Sequence, residues 1–290
     1  MKRITLLFTA ILLIAITSCK NETKKESTEV EVAPVHKIIS LNGAITEIVS
    51  ALGYESQIIG VDVTSTFPET VKETAKDLGH VRSLTIESIL ELQPTLILAS
   101  DRDINAELLN KIKESGIETL LFTQEFSVAG SKKLIARVAE TLGKNDSESL
   151  IKKIDNDIAQ VILPEVKPKV LFIYARGAGT LMVAGNNTPM KNIIEIAGGD
   201  YVITEFDDFK PLTPEWLAQS NPDIILLFDS GLQSLGGIDG LLQAQGVSQT
   251  NAGKSKKIIS MEGGLLSGFG PRVGEAAKQL NQKLNNQKSI

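Results

Sequence analysis

A chain of 290 residues, 42% hydrophobic and 22% charged, is long enough to bury a full core and to divide into two domains. Its formal net charge of -5 and pI near 5.3 give no electrostatic footprint for a phosphate backbone, and its basic residues are scattered, which argues against nucleic acid as a partner. Cys19 is the single cysteine, so no intrachain disulfide staples the fold and core packing alone must hold it.

At the N-terminus, Met1-Lys2-Arg3 is a short basic segment followed by the apolar run Ile4 to Ile16. That run falls short of the roughly 20 residues that cross a bilayer and suits the apolar region of a signal peptide. Ile16-Thr17-Ser18-Cys19 then resembles a bacterial lipobox, in which the cysteine is lipidated and becomes the mature N-terminus. Lys20 to Ala33 is polar, mixed in charge and without period, the composition of a flexible tether. The expected layout is a signal peptide at 1–18, lipidated Cys19 and tether at 19–34, an N-terminal lobe at 35–143, a connecting helix at 144–167 and a C-terminal lobe at 168–290.

Lys37 to Leu41 reads as a strand ending at the Asn42-Gly43 turn, and Ile45, Ile48, Val49 and Leu52 recur at helical spacing until Gly53. Gln57 to Val63 is a strand, Pro68 opens a weak helical stretch, and Gly79-His80-Val81-Arg82 is a loop. Thr85 caps a helix to about Leu92, Thr95 to Ala99 is a buried strand, Ala106 to Ser115 a helix, Glu118 to Phe122 a strand, and a helix from Ser131 closes the lobe near Leu142. Ser147 to Ile162 carries Leu150, Ile151, Ile154, Ile158, Val161 and Ile162 on one helical face. It reads as a rigid connector, the plainer alternative being one more covering helix.

The second half repeats the pattern. Lys169 to Tyr174 is a strand, Leu181 to Ala184 an extended piece, Pro189 to Ala197 a helix, Pro214 to Ser220 a helix with proline at its first position, and Asp223 to Phe228 a strand. Asp229 to Gly240 is glycine-rich, Lys257 to Met261 is a last strand, and Gly263 to Pro271 reads as a loop before the C-terminal helix. Leu212-Thr213-Pro214-Glu215 and Pro222 stand in the same relative places as Leu84-Thr85-Ile86-Glu87 and Pro94. The fold class is therefore α/β, two lobes each with a mostly parallel sheet flanked by helices, joined by a single long helix.

Catalytic constellations are absent from the sequence. A nucleophile lacks a partner base, since the one cysteine is expected to be acylated and only His36 and His80 are imidazoles. No cluster of histidines and carboxylates at ligand spacing is present, and Gly177-Ala178-Gly179 lacks the third glycine of a dinucleotide loop. The chain reads as a non-enzyme, with an exported enzyme acting on the cell envelope as the remaining alternative of that class.

His80 has a different context from His36, which sits where tether and first strand meet. A neutral imidazole ligates iron, and Arg82, two residues on, can pair a carboxylate by two hydrogen bonds; haem offers an iron and two propionates. From residue types alone, a loop histidine beside an arginine is more often an ordinary surface pair. Glu87 and Glu215 each fall in the first turn of a helix after a threonine cap, where a negative charge is favoured by about 0.3 to 1 kcal/mol. One on each lobe, they are also exposed carboxylates able to engage basic pockets on a two-fold partner, and periodicity does not separate the two roles.

Several strings in order carry a family resemblance: the lipobox, Ile39-Ser40-Leu41-Asn42-Gly43-Ala44-Ile45-Thr46-Glu47, Gly60 to Thr66, Met182-Val183-Ala184-Gly185, Lys210 to Glu215, and Gly264 to Arg272. Over roughly Val35 to Leu284 the chain resembles the substrate-binding lipoproteins of ABC importers in the iron-siderophore, cobalamin and haem group, most narrowly the haem-binding members. The resemblance implies a monomer anchored at the extracytoplasmic face of the cell envelope through Cys19. It would capture haem between its lobes and deliver it to a membrane permease and its ATPase subunits. Haem would be transported cargo, with no catalytic cofactor. In relatives the Gly-x-x-Arg loop usually presents a tyrosine to the iron, and His80 occupies that place here. Arg82 would pair a propionate, Tyr174, Arg176 and Met182 would lie against or cap the ring, and Glu87 and Glu215 would meet arginines of the permease. The same fold binding cobalamin or a ferric siderophore is the nearest alternative.

Overall fold

The computed structural model describes residues 36–144, 147–177, 179 and 181–286; the signal peptide, Cys19 and the tether lie outside them. Among the described residues no helix is long and apolar enough to cross a membrane.

The first lobe begins with β1 (Ile38–Leu41) and α1 (Gly43–Val49). Asn42 caps that helix, its side-chain oxygen accepting from the amides of Ala44 and Ile45 at 3.0 and 3.3 Å. There follow β2 (Ile58–Val61), α2 (Glu69–Thr74), β3 (Lys76–Asp77), α3 (Ile86–Leu90), β4 (Leu96–Ser100), α4 (Ala106–Glu114), β5 (Glu118–Phe122) and α5 (Val128–Thr141). The strands lie in the order β3-β2-β1-β4-β5 and every pairing is parallel, so all five C-terminal ends open on one edge. Continuous apolar runs in β1 and β4 are what two-sided burial requires. Ile38, Leu96 and Leu98 pack on one face of the sheet, Ile39, Leu41, Ile97 and Ala99 on the other.

The helix after this lobe, α6 (Glu148–Ile158), is shorter than expected. It covers only part of 144–167, and the chain then runs irregularly towards Pro164 and Pro168, neither of which can donate to a continuing helix. Its apolar face does not stand free. Ile154 is fully buried in the same cluster as Ile135 of α5 and Leu171 and Phe172 of the second lobe, so one core runs unbroken between the lobes.

The second lobe comprises β6 (Lys169–Ala175), β7 (Leu181–Val183), α7 (Pro189–Ile196), β8 (Asp200–Tyr201), β9 (Lys210–Pro211), α8 (Pro214–Ser220), β10 (Ile224–Phe228), α9 (Asp229–Ser234), α10 (Ile238–Leu242), α11 (Asn251–Lys254), β11 (Ile258–Met261), α12 (Gly263–Ser267) and α13 (Val273–Asn286). Its sheet runs β11-β10-β6-β7-β9 with β8 beside β6, parallel except where β7 pairs with β6 and β9. Gly263 to Pro271, expected as a loop, contains a helix, and the glycine-rich Asp229 to Gly240 also carries two short ones. In α12 the Glu262 carboxylate accepts from the amides of Gly264 and Leu265 at 2.7 and 2.6 Å, while Leu265 and Leu266 are buried. Capping plus burial outweighs the glycine penalty of about 1 kcal/mol per residue.

The internal repeat extends to single hydrogen bonds. Thr85 accepts from the Ser88 amide at 3.4 Å and Thr213 from the Trp216 amide at 3.2 Å. Gln93 (φ 50°) and Asn221 (φ 37°) both take the left-handed conformation that ends a helix, each directly before a proline. Next along, the Thr95 hydroxyl accepts from the Lys37 amide at 2.9 Å, and the Asp223 carboxylate from the Lys169 amide at 3.0 Å. Each lobe thus fixes the start of its first strand with the residue that follows its proline.

Candidate functional site

Because the first sheet is wholly parallel, each of its strands sends its following loop to the same edge, where open α/β sheets bind ligands. All five loops contribute to one cleft: Asn42 and Gly43 after β1, Asp62 and Thr64 after β2, His80 to Arg82 after β3, Asp103 after β4, and Gln124 and Phe126 after β5. With four spacings of about 4.8 Å between strands, the His80 and Phe126 ends of this row stand roughly 19 Å apart. The cleft encloses ≈ 590 Å³, within the range of small-molecule sites of about 300–1,000 Å³.

The His80 loop is built to expose its two functional side chains. The Asp77 carboxylate accepts from the Gly79 amide at 2.8 Å, and Gly79 turns the chain through φ 76°, a conformation costly for any residue with a Cβ. The Ser83 amide and hydroxyl both donate to the His80 carbonyl, at 2.9 and 3.0 Å, closing a single 3₁₀ turn. Val81 and Leu84 bury themselves beneath it, and His80 and Arg82 are left exposed towards the cleft.

The facing wall is apolar and is built around the strand residues Tyr174, Met182 and Phe228, with Phe209 added from the segment before β9. Tyr174 in β6 and Met182 in β7 are directly opposite in antiparallel register, which sets their side chains next to one another on one face. Phe209 stands edge-on to Tyr174 with centroids 5.8 Å apart, and Phe228 meets Tyr174 at 6.1 Å and Phe172 at 4.9 Å. Such aromatic geometry holds the rings in place beyond simple burial. Pro189 and Met190 continue this wall, and Gly264, Ser267 and Gly268 of the α12 segment lie in the floor with Ala44 and Glu47.

His80, Arg82, Tyr174 and Met182 therefore meet in one cleft, the first two from one lobe and the last two from the other. Arg176 is not part of the lining: it is exposed, its guanidinium 5.8 Å from the Tyr174 ring centroid. Glu87 and Glu215 sit outside the cleft, exposed in the first turns of α3 and α8. The Glu87 carboxylate is held below its usual range chiefly by its own backbone N–H and then by the Thr85 hydroxyl, so it is charged at neutral pH. His36 lies at the start of β1, the sheet edge away from the cleft, its amide donating to Gln57 at 2.6 Å.

Sequence reasoning missed the polar centre of the cleft. Asn42 donates to Asp103 at 3.2 Å and to Gln124 at 3.4 Å, while buried Asp62 accepts from the Thr64 amide and hydroxyl at 3.1 and 2.6 Å and the Ser65 hydroxyl at 2.8 Å. Burial pushes the Asp62 carboxyl up against those donors, and the charge of Asp103 adds in the same direction. An anionic ligand edge is disfavoured here and favoured beside Arg82. The signal for these residues was present only as polar residues directly after strands.

The family described as periplasmic binding protein matches residues 38–263. The fold is similar to the periplasmic heme-binding protein RhuT from Roseiflexus sp. RS-1 in apo form, with a TM-score of 0.82 and 34% identity, covering 88% of this chain and 100% of that one. By sequence it is similar to the uncharacterized ABC transporter substrate-binding lipoprotein YvrC of Bacillus subtilis, 25% identical over 86% of this chain and 79% of the relative. It is also similar to a vitamin B12-binding protein of Vibrio parahaemolyticus, 28% identical over 58% of this chain and 62% of that one.

Proposed function

The chain belongs to the periplasmic binding protein family, and from that premise we propose that it is the substrate-binding component of an ABC importer whose cargo is haem. The observation that carries this reading is the pairing, within one cleft, of an imidazole and a guanidinium on one lobe with a phenol, a thioether and an aromatic wall on the other. The planar ring lies against Tyr174, Met182, Phe209 and Phe228, which supply most of the affinity by excluding water from it. His80 ligates the iron from the loop side, and Tyr174 is the second axial ligand from the facing lobe, with Arg176 beside its ring. Arg82 pairs a propionate, and the Asp62 and Asp103 carboxylates turn the propionate edge away from the middle of the cleft.

Glu87 and Glu215, one on each lobe after matching threonine caps, engage arginines of the permease. Cys19 carries the lipid that holds the chain as a monomer at the extracytoplasmic face, with haem iron uptake as the outcome. Binding is the activity: family members are binding proteins, and no bond in the cargo is made or broken.

A corrin is the second reading, favoured by similarity to vitamin B12-binding relatives and by Asn42, Asp103 and Gln124, which can accept from the amide groups of a corrin rim. Parallel titrations of the chain lacking residues 1–19 with hemin and with cyanocobalamin decide between them. The haem reading expects a shifted Soret band saturating at a defined stoichiometry and no binding of the corrin. An unshifted hemin spectrum refutes it.

A further inference from the structure

Arg272, just before α13, grips both lobes beneath the cleft. Its Nε donates to Glu47 Oε2 at 3.0 Å and its Nη2 to Glu47 Oε1, a two-pronged pair with a residue of α1. Its Nη1 lies 3.7 Å from Glu262 Oε2, and its guanidinium carbon stands 3.9 Å from the centroid of the Phe67 ring, on the loop after β2. Only a planar fork with two usable edges and a flat face can serve a carboxylate, a second carboxylate and a ring together. A lysine ammonium reaches one of them at a time.

The segment thus gripped is the floor of the cleft. Glu262 caps α12 through the amides of Gly264 and Leu265 and accepts from the Thr66 hydroxyl at 3.4 Å. Further along, Gln124 donates to the Gly268 carbonyl, the Ser131 hydroxyl donates to the Phe269 carbonyl at 2.8 Å, and the Phe126 and Phe269 rings stand 5.5 Å apart. Residues 262–272 are therefore strapped to first-lobe positions in or after β1, β2 and β5, while Gly264, Ser267 and Gly268 face the ligand space. Both oxygens of Glu47 are taken by Arg272, so it meets a ligand as half of a neutral pair rather than as a free charge.

We propose that Arg272, through Glu47 and Glu262, is a positioning residue that fixes the cleft floor against the first lobe and so sets the spacing at which ligand groups from both lobes meet the cargo. This rests on the haem reading for the identity of the cargo, and on geometry alone for the strap. With the pair intact, α12 cannot slide along the first lobe. Without it, the floor shifts and cargo held from both sides is reduced to contacts from one.

The test compares the unsubstituted chain with Glu47→Gln, Arg272→Gln and Arg272→Lys, each lacking residues 1–19. In the ligand-free proteins, hydrogen exchange of the amides at 263–269 is expected to quicken about tenfold in the two Gln variants, corresponding to the loss of about 1.4 kcal/mol of local protection. In the hemin-loaded proteins, release to excess apomyoglobin is expected to quicken by a similar factor, with a Soret band altered towards one-sided ligation. Arg272→Lys keeps the charge and one contact and is expected to restore release to within about threefold of the unsubstituted rate. Exchange and release unchanged in Glu47→Gln, whose side chain is close in shape to the original, overturn the proposal even if Arg272→Gln fails to fold. Faster exchange in a protein that gives no Soret shift with hemin in any version refutes the haem reading and leaves the strap standing.

Discussion

Replacing Asn281 by alanine probes the junction where the connecting segment, the second lobe and the C-terminal helix meet. Asn281 is 2% exposed; its amide nitrogen donates to the carbonyls of Ile162 and Ala197 at 2.8 and 3.0 Å, and its oxygen accepts from the Ile162 amide at 3.1 Å. Ala197 is fully buried at the end of α7, so its carbonyl loses its side-chain donor where water does not reach, a cost of about 1–3 kcal/mol. Ile162 is 73% exposed, and water replaces its two lost bonds at roughly 0.5 kcal/mol each. The expected loss is about 2–4 kcal/mol, a large share of a typical total of about 5–15 kcal/mol. Urea unfolding followed by circular dichroism measures it as a lowered midpoint with unchanged slope. Asn285→Ala is the control, since half-buried Asn285 reaches the Ile162 carbonyl and Asn281 Oδ1 only by long bonds of 3.3 Å, and its expected cost is below about 0.5 kcal/mol. A loss under about 1 kcal/mol for Asn281→Ala, or equal losses for the two, refutes the reasoning.

His80→Ala is expected to weaken hemin binding by at least about tenfold and to change the Soret band, whereas His36→Ala, on the far edge of the sheet, leaves both as they were; equal spectra remove His80 as a ligand. Glu87→Ala combined with Glu215→Ala should leave hemin titrations unaltered while reducing uptake in reconstituted vesicles about tenfold or more, and a loss of binding would assign the pair a folding role instead. Asp157 gives the pH dependence: burial works against its charged form, but Lys278 and Lys153 outweigh burial and hold its carboxyl below the usual range. Unfolding then takes up a proton below the ordinary carboxylate pKa of about 4, so this contribution is complete above that pH and is lost as pH falls through the lower folded value. Asp157→Asn should remove roughly 1–2 kcal/mol at pH 7 and flatten the decline of the urea midpoint in acid.

The parts of the fold legible in the sequence were those written in local chemistry. Thr85 and Thr213 announce helix starts, Pro94 and Pro222 announce their ends, and Ile38-Ile39 and Leu96-Ile97-Leu98 are apolar without alternation because both faces of their strands are covered. The helix α12 was illegible because its five residues begin with two glycines and its stability comes from the Glu262 cap and from burial. The connector was overextended because apolar spacing continues through Val161 and Ile162, although Ile162 ends exposed and held by Asn281. In the site, His80 and Arg82 could be singled out because they are neighbours in the chain. Phe209, Phe228 and Gln124 could not, because only the sheet topology brings them to one cleft, and the Glu47–Arg272 pair joins residues 225 positions apart.

The two walls of the cleft are made of different material, and that bears on how such a chain can change. The first wall is loop, anchored by Val81 and Leu84 beneath and free of sheet hydrogen bonding where His80 and Arg82 stand. The second is centred on strands, where Tyr174 and Met182 are locked in register and adjoin Phe228 and the core residue Phe172. On the proposed reading, a substitution on the loop wall alters what is recognised and leaves the core intact, while one on the strand wall disturbs both together. Mutational drift in selectivity is thereby channelled, on the same reading, to one lobe, at a position such as 80 whose neighbours Val81 and Leu84 carry the packing.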